Sequence, residues 1–315
     1  MKRVLVTGAS GFCGSHLCRH LSEKGFRVTG TWHHTPVREK LPQASFIRCN
    51  LLSFSEIEKL IQRVKPDFVC HLAAMSVPRL SWKMEKETFE VNTAGTVYLL
   101  EALRRGSSKT KFLFASTMQV YGRTFREGRP VRENDLLWPE NPYAASKASA
   151  EAACLDYSSR FGIPVVVARA FNHIGRGQTL QFVLSDWCHQ VALAEKGKRR
   201  RVLQVGNLDA YRDFLHVHDV VTAYEILLRR GEPGGVYNIC YGKVRLLKDY
   251  VDFLQHKSKV PLKVEVQTRR LRRNDPPVMK GAASRLRALG WRPTLSPLKA
   301  LEELLDEWRQ KVRAE

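Results

Sequence analysis

Three glycines at positions 8, 11 and 14 follow the chain's first apolar run, Lys2–Thr7, and open a helical stretch. Glycine is the residue that permits a tight turn and the close approach of backbone to another group. A strand that turns directly into a helix is typical of a fold in which parallel strands are connected through helices. This segment therefore constrains the chain toward a parallel sheet from its first residues.

Short β-branched runs alternate with helical patterns over the first half of the chain. Strands are predicted at 2–7, 27–31, 45–49, 68–72, 111–115 and 164–168. Helices are predicted between them at 12–24, 55–64, 86–105 and 141–161. Nearly continuous apolar strands separated by helices indicate a parallel sheet that is covered on both faces. The predicted fold class is α/β, a doubly wound parallel sheet of the Rossmann type with a smaller interleaved domain.

The alternation loosens after about residue 170. A helix is predicted near 180–196, short strands near 201–205 and 262–267, and a helix pair at 283–289 and 296–312. We predict a nucleotide-binding domain over residues 1–169, to which 206–239 returns. The predicted substrate-binding cap comprises 170–205 and 240–315.

The glycine segment reads G-x-x-G-x-x-G and joins a strand to a helix, the context in which such a motif indicates a dinucleotide site. Gly8 is expected to make the turn, Gly11 to let backbone approach the pyrophosphate, and Gly14 to pack the helix closely on the strand. The predicted cofactor contacts of this segment are Gly8, Ser10, Gly11, Phe12, Cys13 and Gly14.

The end of the second strand selects between NAD and NADP. An acidic residue there would accept the ribose 2′-hydroxyl of NAD, whereas this chain has Thr31, His33 and, further on, Arg38. A hydroxyl, an imidazole and a guanidinium can bind a 2′-phosphate, so NADP is favoured and NAD stays open. Asn50 and Leu51, after the third strand, are predicted to contact the adenine.

Tyr143 and Lys147 are one helical turn apart, directly after Asn141-Pro142. Side chains at i and i+4 share a helix face, and a cation beside a phenol is expected to lower its pKa from about 10 toward neutrality. Tyr143 could then exchange a proton with a substrate oxygen. Thr117, at the end of the fifth strand, is predicted to position that oxygen, and Lys147 also to hold the nicotinamide ribose.

With these residues the chain resembles an extended short-chain dehydrogenase/reductase that acts on nucleotide-diphosphate sugars. The resemblance covers nearly the whole chain. It is carried by the segments HLAAMSVP (71–78), VNTAGTVYLLEAL (91–103), ARAFNHIGRGQ (168–178), VGNLDAYRDFLHVHDVVTAY (205–224) and LRRNDPPVMKGAASRLRALGWRP (271–293). The last two are similar to stretches of the GDP-mannose branch. Two positions depart from the family pattern: Arg273 stands where proline is usual, and Gly281-Ala282 where Gly-Asp is usual.

The resemblance implies roles for further residues. Leu72, Ala73 and Ala74 would lie along the cofactor, and Asn92 would support the site. The implied substrate contacts are Ser76, Thr117, Asn172, Phe182, Val183, Asn207, Arg212 and Arg272. Arginines suit the diphosphate because a guanidinium binds phosphate through two parallel hydrogen bonds. The implied partner is a nucleotide-diphosphate sugar, with GDP favoured, and the implied assembly is a homodimer through the alanine-rich helix at 141–161.

Gln119 restricts the reaction. Related dehydratases carry Glu, and fucose-forming relatives carry Cys, two residues before the Tyr-Gly pair that is Tyr121-Gly122 here. An amide has no useful proton affinity near neutrality and cannot replace either group. The sequence therefore predicts plain reduction of the C4 ketone of a GDP-4-keto-6-deoxy-hexose. The alternatives are a 4-epimerase with tightly bound NAD and a 4,6-dehydratase, which Gln119 disfavours.

The net charge of +21 and the pI near 9.9 raise the possibility of nucleic-acid binding. The basic runs at 196–201 and 269–273 lack the interleaved aromatics of a stacking surface, so no nucleic-acid partner is predicted. A basic surface also suits a substrate with several phosphates.

Seven cysteines without a CxxC pair predict reduced thiols and a cytoplasmic protein. Neither a signal peptide nor a membrane segment is predicted. His216 and His218 with Asp219 have no third ligand cluster nearby, and Asp219 suits a helix cap, so no metal is predicted.

Overall fold

The computed structural model describes residues 1–37, 41, 43–106, 108–271 and 275–314. Its strands are β1 Arg3–Thr7, β2 Arg27–Trp32, β3 Ala44–Arg48, β4 Phe68–His71, β5 Lys111–Thr117, β6 Val165–Ala170, β7 Asn172–Ile174, β8 Val202–Val205, β9 Tyr211–Arg212, β10 Phe214–His216, β11 Gly235–Ile239, β12 Arg245–Leu246, β13 Lys263–Val266 and β14 Val278–Met279. Its α-helices are α1 Phe12–Glu23, α2 Phe54–Val64, α3 Pro78–Ser81, α4 Glu85–Phe89, α5 Gly95–Gly106, α6 Pro142–Phe161, α7 Val183–Glu195, α8 Val217–Arg230, α9 Leu247–Lys257, α10 Ser284–Ala288 and α11 Pro297–Ala314.

The central sheet has seven parallel strands in the order β11-β6-β5-β4-β1-β2-β3. The chain runs outward from β1 to β3, then returns to the other side of β1 and runs outward again from β4. Ligands of such sheets bind outside the carboxyl ends of the strands at this reversal. The predicted doubly wound parallel sheet is confirmed, and the reversal places Thr7 beside His71.

Two differences between the predicted and observed elements bear on the site. Strand β5 continues through Ser116 and Thr117, because both residues still pair with β6. The single helix predicted over 86–105 is instead α4, a π-helical turn at Glu90–Ala94, and α5. One extra residue in a helical turn commonly marks a functional site, and here the turn carries Asn92.

Apolar side chains form one cluster on each face of the sheet and a third cluster among the helices and strands that follow β6. The two sheet clusters share the buried β1, with Val4 and Val6 in one and Leu5 in the other. The third cluster joins α7, α9, α11 and β8. Helix α8 packs on α1, and β11 completes the sheet beside β6.

The start of α8 differs from the sequence expectation. The predicted cap, Asp219, is buried, and its carboxylate accepts hydrogen bonds from the backbone N–H groups of Thr294 and Leu295. His216 caps the helix instead, accepting from the N–H of His218 at 3.0 Å. Asp219 therefore binds a loop that is distant in the sequence, and this contact cannot be predicted from the residues next to Asp219.

The described residues contain neither a membrane-spanning helix nor a metal-binding cluster. No helix among them is long and apolar enough to cross a membrane. Within the same residues, no group of three or more His, Cys, Asp or Glu side chains is arranged to hold a metal ion.

Candidate active site

The glycine loop lies at the carboxyl end of β1, where each glycine has a steric reason. Gly8 has φ of +72°, and a Cβ there would lie 2.8 Å from the backbone of Ala73. A Cβ on Gly14 would lie 2.1 Å from the Gly8 carbonyl oxygen, so α1 can approach the loop this closely only without a side chain. Ser10 and Gly11 are exposed, and the Gly11 N–H donates to the Gly8 carbonyl at 3.0 Å, so the loop turns directly into the N-terminus of α1, which favours a phosphate. The loop therefore fits a dinucleotide pyrophosphate.

Two other residues of the loop, Phe12 and Cys13, are partly buried. The Phe12 ring stacks on His173 with centroids 5.7 Å apart and so links the loop to the segment after β6. Cys13 hydrogen-bonds Tyr224, and burial raises the pKa of its thiol to about 12. Cys13 is thus a neutral thiol at physiological pH.

The end of β2 gathers groups suited to the adenosine half of a cofactor. Thr31 is buried, and its carbonyl accepts from Ala9 at 2.8 Å. The rings of His33 and His34 are in contact, with centroids 4.0 Å apart and a tilt of 56°, and the Arg48 guanidinium donates to the His33 carbonyl at 3.3 Å. Arg48 was not found from the sequence, because it reaches this corner through the pairing of β3 with β2. Arg38 lies outside the described residues.

The segment after β3 forms a turn beside this corner. The Asn50 side chain accepts from the Leu52 N–H at 3.0 Å, and its own N–H donates to Glu56 at 2.8 Å. Leu51 is buried and packs against Gly95 of α5. The side-chain oxygen of Asn50 is therefore already used locally, and its predicted contact with adenine stays a prediction.

Asn92 fixes the segment after β4. Its amide accepts from the Met75 N–H at 2.8 Å and donates to the Met75 carbonyl at 3.2 Å. The same amide donates to the Ser146 hydroxyl at 2.9 Å. The π-helical turn aims Asn92 at both partners, so the predicted cofactor residues Leu72, Ala73 and Ala74 are tied to the helix of Tyr143. The exposed Ser76 follows directly.

A chain of hydrogen bonds under this segment fixes the tautomer of the buried His71. The Thr96 hydroxyl donates to the Asn92 carbonyl, so it accepts from His71 Nε2 at 3.0 Å. The neutral ring then accepts at Nδ1 from the Thr7 hydroxyl at 2.7 Å, and Thr7 in turn accepts from the Ala73 N–H at 3.2 Å. Burial lowers the pKa of His71 to about 3, with a smaller effect from Lys147. This neutral imidazole was not predicted from the sequence.

Tyr143, Thr117 and Lys147 meet at the carboxyl end of β5. The side chains of Tyr143 and Thr117 are hydrogen-bonded, and Lys147 Nζ lies 3.9 Å from the ring centroid of Phe114. All three side chains are at least nine-tenths buried. Asn141 caps α6 by accepting from the Ala144 N–H at 2.9 Å, and Pro142 follows at the first helical position, so the helix starts immediately before Tyr143.

The protonation of this group corrects one expectation. We expected Lys147 to lower the pKa of Tyr143, but burial raises that pKa to about 12, opposed only by the hydrogen bond with Thr117. Burial also lowers the pKa of Lys147 to about 8. In the protein alone the cost of burying charge exceeds the attraction. Tyr143 is therefore a protonated phenol near neutral pH.

Gln119 is fixed by two contacts beside this group. Its N–H donates to Thr117 Oγ1 at 3.3 Å, and its side-chain carbonyl accepts from the Asn141 amide at 3.1 Å. The carbonyl end is therefore engaged with the cap of α6. The NH2 end of Gln119 is a donor only and can neither take up nor release a proton.

Two of the residues predicted to bind substrate phosphates lie in the part of the chain that follows β6, in β7 and β9. Asn172 is half-buried and donates to the Asp213 carbonyl at 3.4 Å. Arg212 is buried and pairs with Asp275 at 2.6 Å, and Asn207 donates to the same carboxylate at 3.4 Å. Asp275 was not found from the sequence, and it already binds the guanidinium that was assigned to the diphosphate.

Three further residues were predicted to contact the substrate: Phe182, Val183 and Arg272. Phe182 is half-buried and immediately precedes α7, whose first residue, Val183, is exposed. Arg272 lies outside the described residues, as does Arg273.

The fold and the site define an extended short-chain dehydrogenase/reductase. The chain belongs to the GDP-mannose 4,6 dehydratase family, whose model matches residues 5–305. The resemblance noted from the sequence is thereby confirmed.

Individual relatives are similar over the whole chain. GDP-6-deoxy-D-mannose reductase of Pseudomonas aeruginosa is 36% identical over 316 residues, covering 100% of this chain and 99% of that protein. The structure of RMD from Pseudomonas aeruginosa complexed with NADPH has a TM-score of 0.86 at 34% identity, with 99% and 100% coverage. The structure of Thermus thermophilus UDP-glucose 4-epimerase in complex with NAD has a TM-score of 0.87 at 29% identity, with 98% and 99% coverage. These relatives differ in activity, so the fold alone does not fix the reaction.

Proposed function

We propose that this protein reduces the C4 ketone of a GDP-4-keto-6-deoxy-hexose with NADPH, converting GDP-4-dehydro-6-deoxy-D-mannose to GDP-D-rhamnose. The observation that carries the proposal is the fixed amide of Gln119 next to Thr117 and Tyr143. Full-length similarity to a GDP-6-deoxy-D-mannose reductase supports the same reaction.

The side chains divide the work of a ketone reduction. Tyr143 carries a proton at neutral pH and donates it to the substrate oxygen, because its pKa is about 12. The hydroxyl of Thr117, already paired with Tyr143, positions that oxygen. Lys147 supplies a buried cation that stabilises negative charge developing on the oxygen and phenol. When bound, NADPH supplies the hydride to C4.

Gln119 excludes reactions that need a second proton-transfer group at this position. Loss of water from a 4-keto sugar and epimerisation beside the ketone both require removal of a carbon-bound proton, for which an amide is useless. Reduction requires no such step. A donor-only NH2 group suits a hydroxyl or carbonyl of the sugar.

The cofactor assignment rests on the glycine loop and on the end of β2. Arg48, His33 and Thr31 provide a cation, an imidazole and a hydroxyl where a 2′-phosphate would lie. The neighbouring Glu56 carboxylate is engaged by the Asn50 N–H. Similarity to a structure complexed with NADPH supports the same preference.

Several finer assignments are part of the proposal. We also propose the site residues predicted from the sequence, the predicted boundaries between the nucleotide-binding domain and the cap, and a cytoplasmic location. The proposed homodimer is supported by alanines along α6 and by the exposed aromatic Tyr98 on the neighbouring α5. Sedimentation that detects only monomer at micromolar concentration would contradict the dimer.

Purified protein with NADPH and enzymatically prepared GDP-4-dehydro-6-deoxy-D-mannose tests the function. We expect loss of NADPH absorbance and one new sugar nucleotide, whose C4 configuration NMR assigns. GDP-mannose in place of the ketone should leave NADPH unchanged, and the matching dTDP-4-keto sugar tests the choice of base.

Two outcomes would overturn the proposal. Conversion of GDP-mannose to a 4-keto sugar would identify a dehydratase. Interconversion of C4 epimers with a cofactor that survives dialysis would identify a 4-epimerase.

A further inference from the structure

A buried ion pair lies behind the catalytic group and has no part in the reaction described so far. Glu151 of α6 is 1% exposed and Arg169 of β6 is 4% exposed. Arg169 Nε donates to both carboxylate oxygens at 3.1 Å, and Nη2 donates to Oε2 at 2.7 Å. A guanidinium that donates to both oxygens of a carboxylate forms a charge-assisted pair of defined geometry. Charged groups are almost never buried so completely unless they are paired.

The same carboxylate contacts the strand that carries Thr117. The Ser116 hydroxyl donates to Glu151 Oε1. Glu151 thus joins α6, β5 and β6 at a single point, directly under the end of the strand. The hydroxyl of Ser116 faces this carboxylate, while that of the next residue, Thr117, contacts Tyr143.

Arg169 extends the pair into a wider network. Its Nη1 donates to the Tyr121 hydroxyl at 3.0 Å and to the Glu133 carbonyl at 2.9 Å. Tyr121 donates to Asn238 at 2.7 Å, whose N–H donates to the Glu133 carboxylate at 2.9 Å. Two buried carboxylates therefore belong to one network, but only Glu151 stands one helical turn from Lys147.

Lys147 is 2% exposed, and the groups facing it come from three elements. On its own helix are Tyr143, Glu151 and Cys154, and the last is a neutral thiol because burial raises its pKa. Strand β5 contributes the Phe114 ring, which carries no charge. Strand β4 contributes His71, which is also uncharged. Glu151 is thus the negative charge acting on Lys147 within the described residues.

We propose that Glu151 is a positioning residue that keeps Lys147 protonated during reduction and fixes α6 against the end of β5 through Ser116 and Arg169. The proposal rests on the proposed function and names a residue outside the Thr117, Tyr143 and Lys147 group.

The protonated form of Lys147 is favoured only modestly at neutral pH. Burial lowers the pKa of Lys147 to about 8, and Glu151 is among the groups that raise it. Of the two groups that raise this pKa, Cys154 and Glu151, only Glu151 carries a full charge at neutral pH. Without that charge the pKa of Lys147 falls further, and a smaller fraction of the side chain is protonated at neutral pH.

Glu151→Gln removes the charge and keeps the size. The alkaline limb of the kcat profile should move about one pH unit or more toward acid. KM for the sugar nucleotide should stay near the wild-type value. The matched control is Glu133→Gln, which neutralises the other buried carboxylate of the network and should leave that limb in place.

A variant that unfolds would not decide the matter, because Glu151→Gln leaves Arg169 buried without its counter-charge. The double variant Glu151→Gln/Arg169→Met removes both charges together, which proteins often tolerate. A smaller acid shift is expected in the double variant, because the lost guanidinium charge opposed the lost carboxylate charge at Lys147. Absence of the acid shift from every variant that folds, or an equal shift with Glu133→Gln, would overturn the proposal.

A readout independent of turnover separates this inference from the proposed function. NMR titration of the Lys147 side chain, assigned by its loss in Lys147→Met, measures its pKa in the full-length protein. The pKa should be lower in Glu151→Gln than in wild type, whether or not a 4-keto sugar is reduced. An unchanged pKa refutes the role of Glu151, whereas a shifted pKa in a protein without ketone reductase activity refutes only the function.

Discussion

Replacing Lys147 by methionine should abolish ketone reduction and at the same time stabilise the fold. The side chain is 2% exposed, and burial lowers the pKa of Lys147 from 10.5 to about 8. Since one pKa unit corresponds to about 1.4 kcal/mol, holding this charge inside the protein costs about 3 kcal/mol. The variant also loses the contact between Lys147 Nζ and the Phe114 ring, which stabilises the wild-type protein by about 1 kcal/mol. The net expectation is a stabilisation of about 2 kcal/mol at neutral pH.

The pH dependence of this gain has a defined sign. Between pH 8 and pH 10.5 the unfolded chain binds more protons at Lys147 than the folded one does. The penalty is therefore fully present below pH 8 and disappears as the pH rises through that window. Urea unfolding at pH 7 and pH 9.5 should show the advantage of Lys147→Met shrinking at the higher pH. Lys59→Met, at an exposed position of α2, is the control and should change stability little at either pH.

Two results would refute this reasoning. One is a Lys147→Met protein that is less stable than wild type at pH 7 by about 1 kcal/mol or more, which would mean that packing rather than charge dominates the site. The other is a stability difference that does not change between the two pH values.

Three shorter predictions concern the cofactor and the proton donor. Gly14→Ala should weaken NADPH binding at least about tenfold in a fluorescence titration. Its Cβ would lie 2.1 Å from a backbone oxygen of the loop, and overpacking costs about 1–3 kcal/mol. The control Gly106→Ala, whose Cβ would make an ordinary nearest contact of 3.5 Å, should bind NADPH normally. Arg48→Ala should reduce the preference for NADPH over NADH in kcat/KM by roughly tenfold, and Arg63→Ala, another exposed arginine, should not. Tyr143→Phe should lower kcat by about 10² or more with the Kd for NADPH unchanged, and a loss of binding instead would contradict its role as proton donor.

The sheet was predictable because its strands are short, apolar and separated by clear helical patterns. Runs such as Phe68–His71 are buried on both sides, so their composition alone identifies them. The glycine loop was predictable for a different reason, since its strand–turn–helix context is local in sequence. Local signals also placed Tyr143 and Lys147 on one helix face.

The contacts that tune the site were not predictable, because they join residues far apart in the sequence. Glu151 and Arg169 meet only when α6 packs over β5 and β6. Arg48 reaches His33 through strand pairing, and Asp275 reaches Arg212 from a different part of the chain. The burial that overturns the expected pKa of Tyr143 is likewise a property of the assembled fold.

The protonation state of Tyr143 also bears on the direction of the chemistry. A reductase begins with a ketone and needs a proton donor, which a phenol with a pKa of about 12 provides over the whole neutral range. An enzyme that begins with an alcohol must first remove a proton, and for that purpose the same phenol would have to ionise inside a buried site. Burial lowers the pKa of Lys147, the cation nearest in sequence, to about 8 and raises that of Tyr143 to about 12 despite the presence of this cation. The same burial that makes Tyr143 a poor base makes it a reliable acid, and together with the amide of Gln119 it favours entry into the reaction at the ketone.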